Sequence, residues 1–314
     1  MIDSGETRLG QPAESGRPDY TFVQRTLDGV RQQIFGVAYE GRWLHRGEFG
    51  FGLQWTDYEK EVAQPGLPVA RTSSRPWLYN ATVAVTPTQR IAIYASFTRG
   101  LEESGVAPES AVNRNQALSA IPTRQADMGI RLALRPSLKL IAGLFDVRKP
   151  YVGLDADGWY REIGNVVHRG AEISLAGAIT PRLDVAAGAV LQKPRVDAHD
   201  EGLERPDLRP VDQPERVLQL NADWRPARAG PWSFDTTITY RSVAVATTGN
   251  DVELPARTLV EVGARYRFAI GHSSAMLRLN VENLFDVFGF ESRGSGAYDV
   301  LPGRLASAYV TVDW

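Results

Sequence analysis

The sequence contains no cysteine, which excludes disulfide scaffolds, thiolate metal sites and cysteine nucleophiles. It also lacks a surplus of charge: a net of -2 removes the bulk attraction that generic nucleic-acid binding requires, so no nucleic-acid partner is expected. Long apolar runs are missing, since nothing approaches the roughly 18 consecutive residues of a membrane-spanning helix, although a strand-built membrane protein does not need them. Histidine is scarce and scattered, at His45, His168, His199 and His272, with no spacing that would assemble a metal site. Phosphate-loop, dinucleotide-binding and Gly-x-Ser-x-Gly patterns are absent. No cofactor, metal or catalytic set is therefore expected, and the chain does not read as an enzyme.

What the chain has in abundance is alternation. Residues 1–30 are polar, with one short alternating piece that allows a strand over Asp19–Thr26, and they carry no export signal. Residues 31–314 read with period two, the mark of strands with one apolar and one polar face. Ala275, Leu277, Leu279 and Val281 interleave with Met276, Arg278, Asn280 and Glu282, and Trp232, Phe234, Thr236 and Ile238 with Ser233, Asp235, Thr237 and Thr239. About thirteen such segments occur, each near the roughly 9–11 residues that a tilted strand needs to cross a bilayer.

The connections alternate in length. Short ones, such as Thr86–Gln89, Arg135–Ser137, Thr180–Arg182 and Ile270–Ser274, separate long polar loops near 101–122, 149–163, 194–213, 246–256 and 286–302. That asymmetry predicts an all-β, antiparallel up-and-down transmembrane barrel with short periplasmic turns and long extracellular loops. The seven tryptophans are expected near strand ends: Trp43, Trp224, Trp232 and Trp314 by the short turns or the terminus, and Trp55, Trp77 and Trp159 toward the long loops. Asp155–Gly158 has the acidic spacing that opens a calcium loop but lacks its later ligands, so a tight turn is expected there. Arg265, Arg267, Arg278 and Glu282 share one side of neighbouring strands and would form a charged inner wall. Glycines such as Gly50, Gly52, Gly188 and Gly263 would relieve crowding where strands bend.

Three elements near the C-terminus occur in order: Asn283-Leu-Phe-Asp286, Leu301-Pro-Gly-Arg304 and a final alternating strand ending on Trp314. With Ile91–Glu102, Asn113-Arg-Asn115, Thr123-Arg-Gln125 and Gly164–Ser174, they make the chain resemble the TonB-dependent outer-membrane receptors of the ferric-siderophore type. The resemblance implies a C-terminal barrel portion of about 13–14 strands out of 22. The plug, the TonB-engaging segment, the first strands and the export signal are then expected outside this chain, which is read as a truncated form.

The same resemblance implies an outer-membrane location, outer-membrane lipid and the barrel-insertion machinery as partners, and Trp314 as the terminal insertion signal. For an intact relative it implies a plug domain, TonB and a ferric-siderophore ligand, taken up without any bond being broken. Candidate ligand-contact residues are Asn113, Arg114 and Asn115 in one outer loop and Trp159, Tyr160 and Arg161 in the next, where Arg and aromatic groups would meet an anionic chelate. Loop anchoring is the alternative role for these six. Two other readings of the whole chain stay open: a self-sufficient small channel or enzyme barrel, and a soluble all-β binding protein. The latter requires Leu277, Leu279, Val260 and Val262 to face a protein core.

Overall fold

The computed structural model describes residues 26–43, 46–155, 157–198, 208–227, 230–247, 249–294 and 297–313. Trp314, His45, His199 and residues 19–25 of the expected extra strand lie outside them. Eighteen strands follow in chain order: β1 (Leu27–Trp43), β2 (Gly47–Ala63), β3 (Ala70–Ser74), β4 (Trp77–Thr88), β5 (Ile91–Glu102), β6 (Ile121–Arg135), β7 (Leu138–Leu154), β8 (Tyr160–Thr180), β9 (Leu183–Ala198), β10 (Arg216–Trp224), β11 (Trp232–Arg241), β12 (Ala244–Val245), β13 (Glu253–Leu254), β14 (Arg257–Ile270), β15 (Ser273–Glu282), β16 (Phe290–Gly294), β17 (Ala297–Val300) and β18 (Leu305–Asp313).

One antiparallel sheet of 14 strands takes in all but two small hairpins, β12–β13 and β16–β17. Within it each strand pairs with the next in the order β1-β2-β4-β5-β6-β7-β8-β9-β10-β11-β14-β15-β18, and β3 flanks β2. The short turns gather at one end. Gly271, at φ 61, opens the turn that brings Ile270 opposite Ser273, a left-handed position that glycine fills without a Cβ penalty. The small hairpins and the long polar segments lie at the other end, carried between β5 and β6, β9 and β10, β11 and β14, and β15 and β18.

Two expectations need correction. The segment 149–163 is not a long loop: β7 runs to Leu154 and β8 starts at Tyr160, so only 155–159 turn. The ladder continues through a register shift at Tyr151/Val152. Here apolar residues such as Tyr151, Val152, Leu154 and Ile163 fall on both faces and the bulge shifts the period, so alternation fades while the pairing persists. Trp55 is likewise not near a strand end but mid-way along β2. It marks the edge of the apolar stretch instead, because the next residues on its face are Asp57, Glu59 and Glu61.

Register separates the two faces of the sheet. Residues directly opposite point to the same side, so Trp232, Tyr266, Leu277 and Val310 form one apolar row and Phe234, Ala264, Leu279 and Ala308 the next. Among the described residues nothing covers this side: Met128 is 59% exposed, Leu144 56% and Leu279 42%. A soluble sandwich would bury these residues against a second sheet, so that reading does not hold. A buried cluster of Val166, Val196 and Leu208, packed on Tyr151, sits toward the long-loop end instead. Aromatic side chains line both margins of the apolar face. Phe35 lies 6.0 Å from Trp55, which registers with Trp77 at one margin. Trp224, Phe234, Trp232, Tyr266 and Phe268 form a continuous chain of ring contacts at the other.

Among the described residues, β1 pairs only with β2 and β18 only with β15. The sheet is therefore open, with two unpaired edges.

Candidate functional site

The loop between β5 and β6 folds onto the turn between β7 and β8, and Asn113 makes the joint. Its side-chain amide donates to the Tyr160 carbonyl at 2.9 Å and accepts from the Tyr160 N–H at 2.8 Å. The Val112 N–H donates to the Gly158 carbonyl at 2.9 Å beside it. Asn113 thus imitates one step of a β-ladder, and its amide is committed to holding the two loops together. Asn115 lies at φ 62 and donates its N–H to Ala107, a left-handed turn position that Asn tolerates better than most residues. Arg114 and Trp159 remain exposed on the joined surface.

The turn itself is built on Asp155, whose carboxylate is almost fully enclosed. It accepts from the N–H groups of Asp157 at 3.0 Å and Trp159 at 2.8 Å and pairs with Arg161. The expected turn is what these bonds make, and they explain why Arg161 lies against the loop base. Burial pushes the Asp155 carboxyl upward, but the Trp159 N–H and Arg161 outweigh it, so its pKa lies below the ordinary carboxylate value. A lowered folded pKa gives stability that is present above the unfolded pKa and lost as pH falls through the folded one. Asp155→Asn should therefore speed amide exchange at Trp159 and Tyr160 at neutral pH. The difference from the parent chain should shrink as the solution is acidified below pH ~4, the ordinary carboxylate range.

The polar face carries a charge lattice near the C-terminus. Arg265 and Arg278 stand directly opposite on β14 and β15, while Asp223 and Asp235 stand opposite on β10 and β11. Like charges facing each other are unfavourable, and the two mismatches resolve one another. Arg265 Nη2 lies 2.6 Å from Asp223 and 2.8 Å from Asp235, and Arg278 Nη2 lies 3.2 Å from the other oxygen of Asp235. Gly263 makes the arrangement possible, because a Cβ there would fall 2.6 Å from Asp235 Oδ2. Arg267 lies apart and reaches the Ser233 hydroxyl at 3.4 Å, and Glu282 accepts from Asn280 at 3.2 Å near the long-loop end. The four residues named from alternation thus share a face, and only two of them meet. Asp235 was visible in the alternation, but its partners, and the part played by Asp223, depend on cross-strand register, for which the sequence has no local signal.

The two C-terminal sequence elements meet in space. Asn283 donates to the carbonyls of Val287 at 2.9 Å and Pro302 at 3.0 Å, and its Oδ1 accepts from the Val287 N–H at 2.8 Å. The Asp286 carboxylate accepts from the Arg304 N–H at 2.7 Å. Both Asn283 and Asp286 sit in the left-handed region, at φ 46 and 55. His168, one of the scattered histidines, pairs on the polar side with Gln192 at 3.3 Å.

An open antiparallel meander with an uncovered apolar face, a charge-paired polar face, aromatic margins and loops massed at one end has the architecture of β-barrel wall. The family described as TonB dependent receptor-like, beta-barrel matches residues 8–284, and the chain belongs to that family. No curated protein matches the sequence. Among solved structures, the chain is similar to the ferric preacinetobactin receptor BauA of Acinetobacter baumannii, with a TM-score of 0.83 at 20% identity over 97% of this chain and 46% of that one. It is also similar to the siderophore receptor PiuA of the same species (TM-score 0.75, 18% identity, 90% of this chain and 44% of that one). The ferric yersiniabactin uptake receptor FyuA of Yersinia pestis gives a TM-score of 0.73 at 14% identity over 93% of this chain and 47% of that one. The chain therefore spans less than half the length of each. The family is one of outer-membrane transporters, not enzymes, and the outer membrane is this chain's location.

Proposed function

We propose that residues 31–314 form the C-terminal part of a transmembrane receptor barrel that takes up a ferric siderophore with energy delivered through TonB. The apolar face turns to lipid and the polar face to the lumen, where the Arg265–Asp235–Arg278 lattice meets a plug. The continuous uncovered apolar side, bounded at both margins by aromatic rings, carries this reading. At the loop end, Arg114 and Trp159 stand exposed on a surface that Asn113 and Asp155 hold rigid, and an anionic iron chelate would be bound there together with the plug.

In hydrocarbon every backbone N–H and C=O must be paired within protein, which an open sheet cannot achieve at its edges. The chain alone is therefore expected to give no conductance in planar bilayers and no heat-modifiable band on electrophoresis. A heat-modifiable, conducting species made from this chain alone would overturn the partial-barrel reading in favour of a self-sufficient small channel.

A further inference from the structure

The short-turn end of the sheet carries positive charge without the carboxylates that balance it elsewhere. The turns at 44–46, 86–90, 135–137, 180–182 and 225–231 each contain arginine, the turn at 270–274 contains His272, and none of the six contains Asp or Glu. Arg46, Arg90, Arg135, Arg182 and Arg225 are all exposed. Arg225 pairs with Asp223 at 3.1 Å, and Arg135 donates to the Ile179 carbonyl at 2.9 Å. Among the described residues no carboxylate pairs with Arg46, Arg90, Arg135 or Arg182.

The backbone holds these arginines in a regular file. The Arg90 N–H donates to the Thr88 hydroxyl and the Arg182 N–H to the Thr180 hydroxyl, both at 3.2 Å, which closes each turn on itself. The carbonyls of Arg46, Arg90 and Arg182 accept from the N–H groups of Thr86 at 2.7 Å, Ala133 at 2.8 Å and Arg225 at 2.8 Å, so each turn is tied to the hairpin that follows it. Successive turns are two strands apart, which sets neighbouring arginine backbones about 10 Å from one another along the rim. Trp43, Trp224 and Trp232 are exposed on the apolar face at the same end, and such rings settle at the depth of the headgroups.

We propose that this file of turn arginines binds the phosphates of anionic phospholipid in the periplasmic leaflet. The inference rests on the membrane orientation proposed above, which puts the short turns in the periplasm and their rim at headgroup depth. A guanidinium donates two parallel N–H groups to a phosphodiester, and an anionic headgroup has no ammonium of its own to compete for that phosphate. The interval along the rim gives each arginine its own headgroup, while the acyl chains lie along the uncovered apolar face. An acidic periplasmic protein would meet the charge but not the flanking tryptophans, which favours lipid.

The test uses a closed, cysteine-free receptor barrel that carries this segment, with a fluorophore attached at Gln89→Cys in the turn between β4 and β5. The barrel is reconstituted in phosphatidylcholine vesicles that contain a small fraction of either phosphatidylglycerol or phosphatidylcholine bearing a nitroxide near the top of one acyl chain. At low salt, labelled phosphatidylglycerol should associate with the turn about fivefold more strongly than labelled phosphatidylcholine, as read from quenching. The Arg46→Gln/Arg90→Gln variant should lose most of that preference. The Arg71→Gln/Arg75→Gln variant, altered at the opposite end where each arginine already pairs with a carboxylate, should keep it. Equal quenching by the two lipids in the parent barrel would overturn this proposal alone and point to an acidic protein as the partner. A preference unchanged in Arg46→Gln/Arg90→Gln would also overturn it. A parent barrel that stays out of the vesicles would overturn the membrane reading and this proposal together.

Discussion

Leu279→Arg is expected to weaken membrane incorporation by about 2–4 kcal/mol, the cost of a cation at mid-depth on a lipid-facing strand. Leu279 lies in the middle of β15, registers with Ala264 and Ala308 and is 42% exposed. Its row on that face is Phe234, Ala264 and Ala308, so among the described residues its direct neighbours offer no charge to neutralise the arginine. One residue along, Asn280 turns to the polar face beside Glu282, so Asn280→Arg should shift incorporation by less than about 1 kcal/mol. The fraction of each variant that floats with lipid vesicles, followed through a urea series, measures the difference. Equal losses for the two substitutions would mean that the faces are not assigned as described.

Asp235→Ala is the second large effect, with an expected loss of about 2–3 kcal/mol from removing charged hydrogen bonds that serve two arginines. Asp235 accepts Nε and Nη2 of Arg265 at 3.1 and 2.8 Å and Nη2 of Arg278 at 3.2 Å. Removing it returns Arg265 and Arg278 to direct opposition, with Asp223 left to compensate one of them. Asp235→Asn keeps the shape and an accepting oxygen but not the charge, and should cost about half as much. Combining Asp235→Ala with Arg278→Gln should cost less than the sum of the single changes, since the second relieves the repulsion exposed by the first. Urea midpoints read from the circular dichroism of a closed receptor barrel that carries this segment give all four values, and strict additivity would show that the lattice does not act as a unit.

The strands and their faces were legible because a period of two writes itself into every half-apolar strand, as in Ala275–Glu282. Where apolar residues fall on both faces and a bulge breaks the period, as in 149–154 and 160–163, that signal vanishes and strand reads as loop. Register was not legible at all. It is set by distant pairings, so the Arg265–Asp235–Arg278 lattice emerges only when the strands are laid side by side. The loop candidates show the same limit. Asn113 and Tyr160 were chosen for chemistry that ligands like, and the geometry spends the Asn113 amide on a joint between loops whose closeness no local pattern announces.

The clasp formed by Asn283 and Asp286 with Pro302 and Arg304 ties the base of the segment between β15 and β18 shut, so the register of those two strands does not depend on what lies beyond the knot. Closing a longer loop over a fixed base adds little entropy cost. A change of length in the hairpin above it therefore leaves the pairing of β15 with β18 in place, and what it puts at stake is the hairpin's own contacts with its neighbours, Arg257 with Glu291 and Tyr298 with the Ala246 carbonyl.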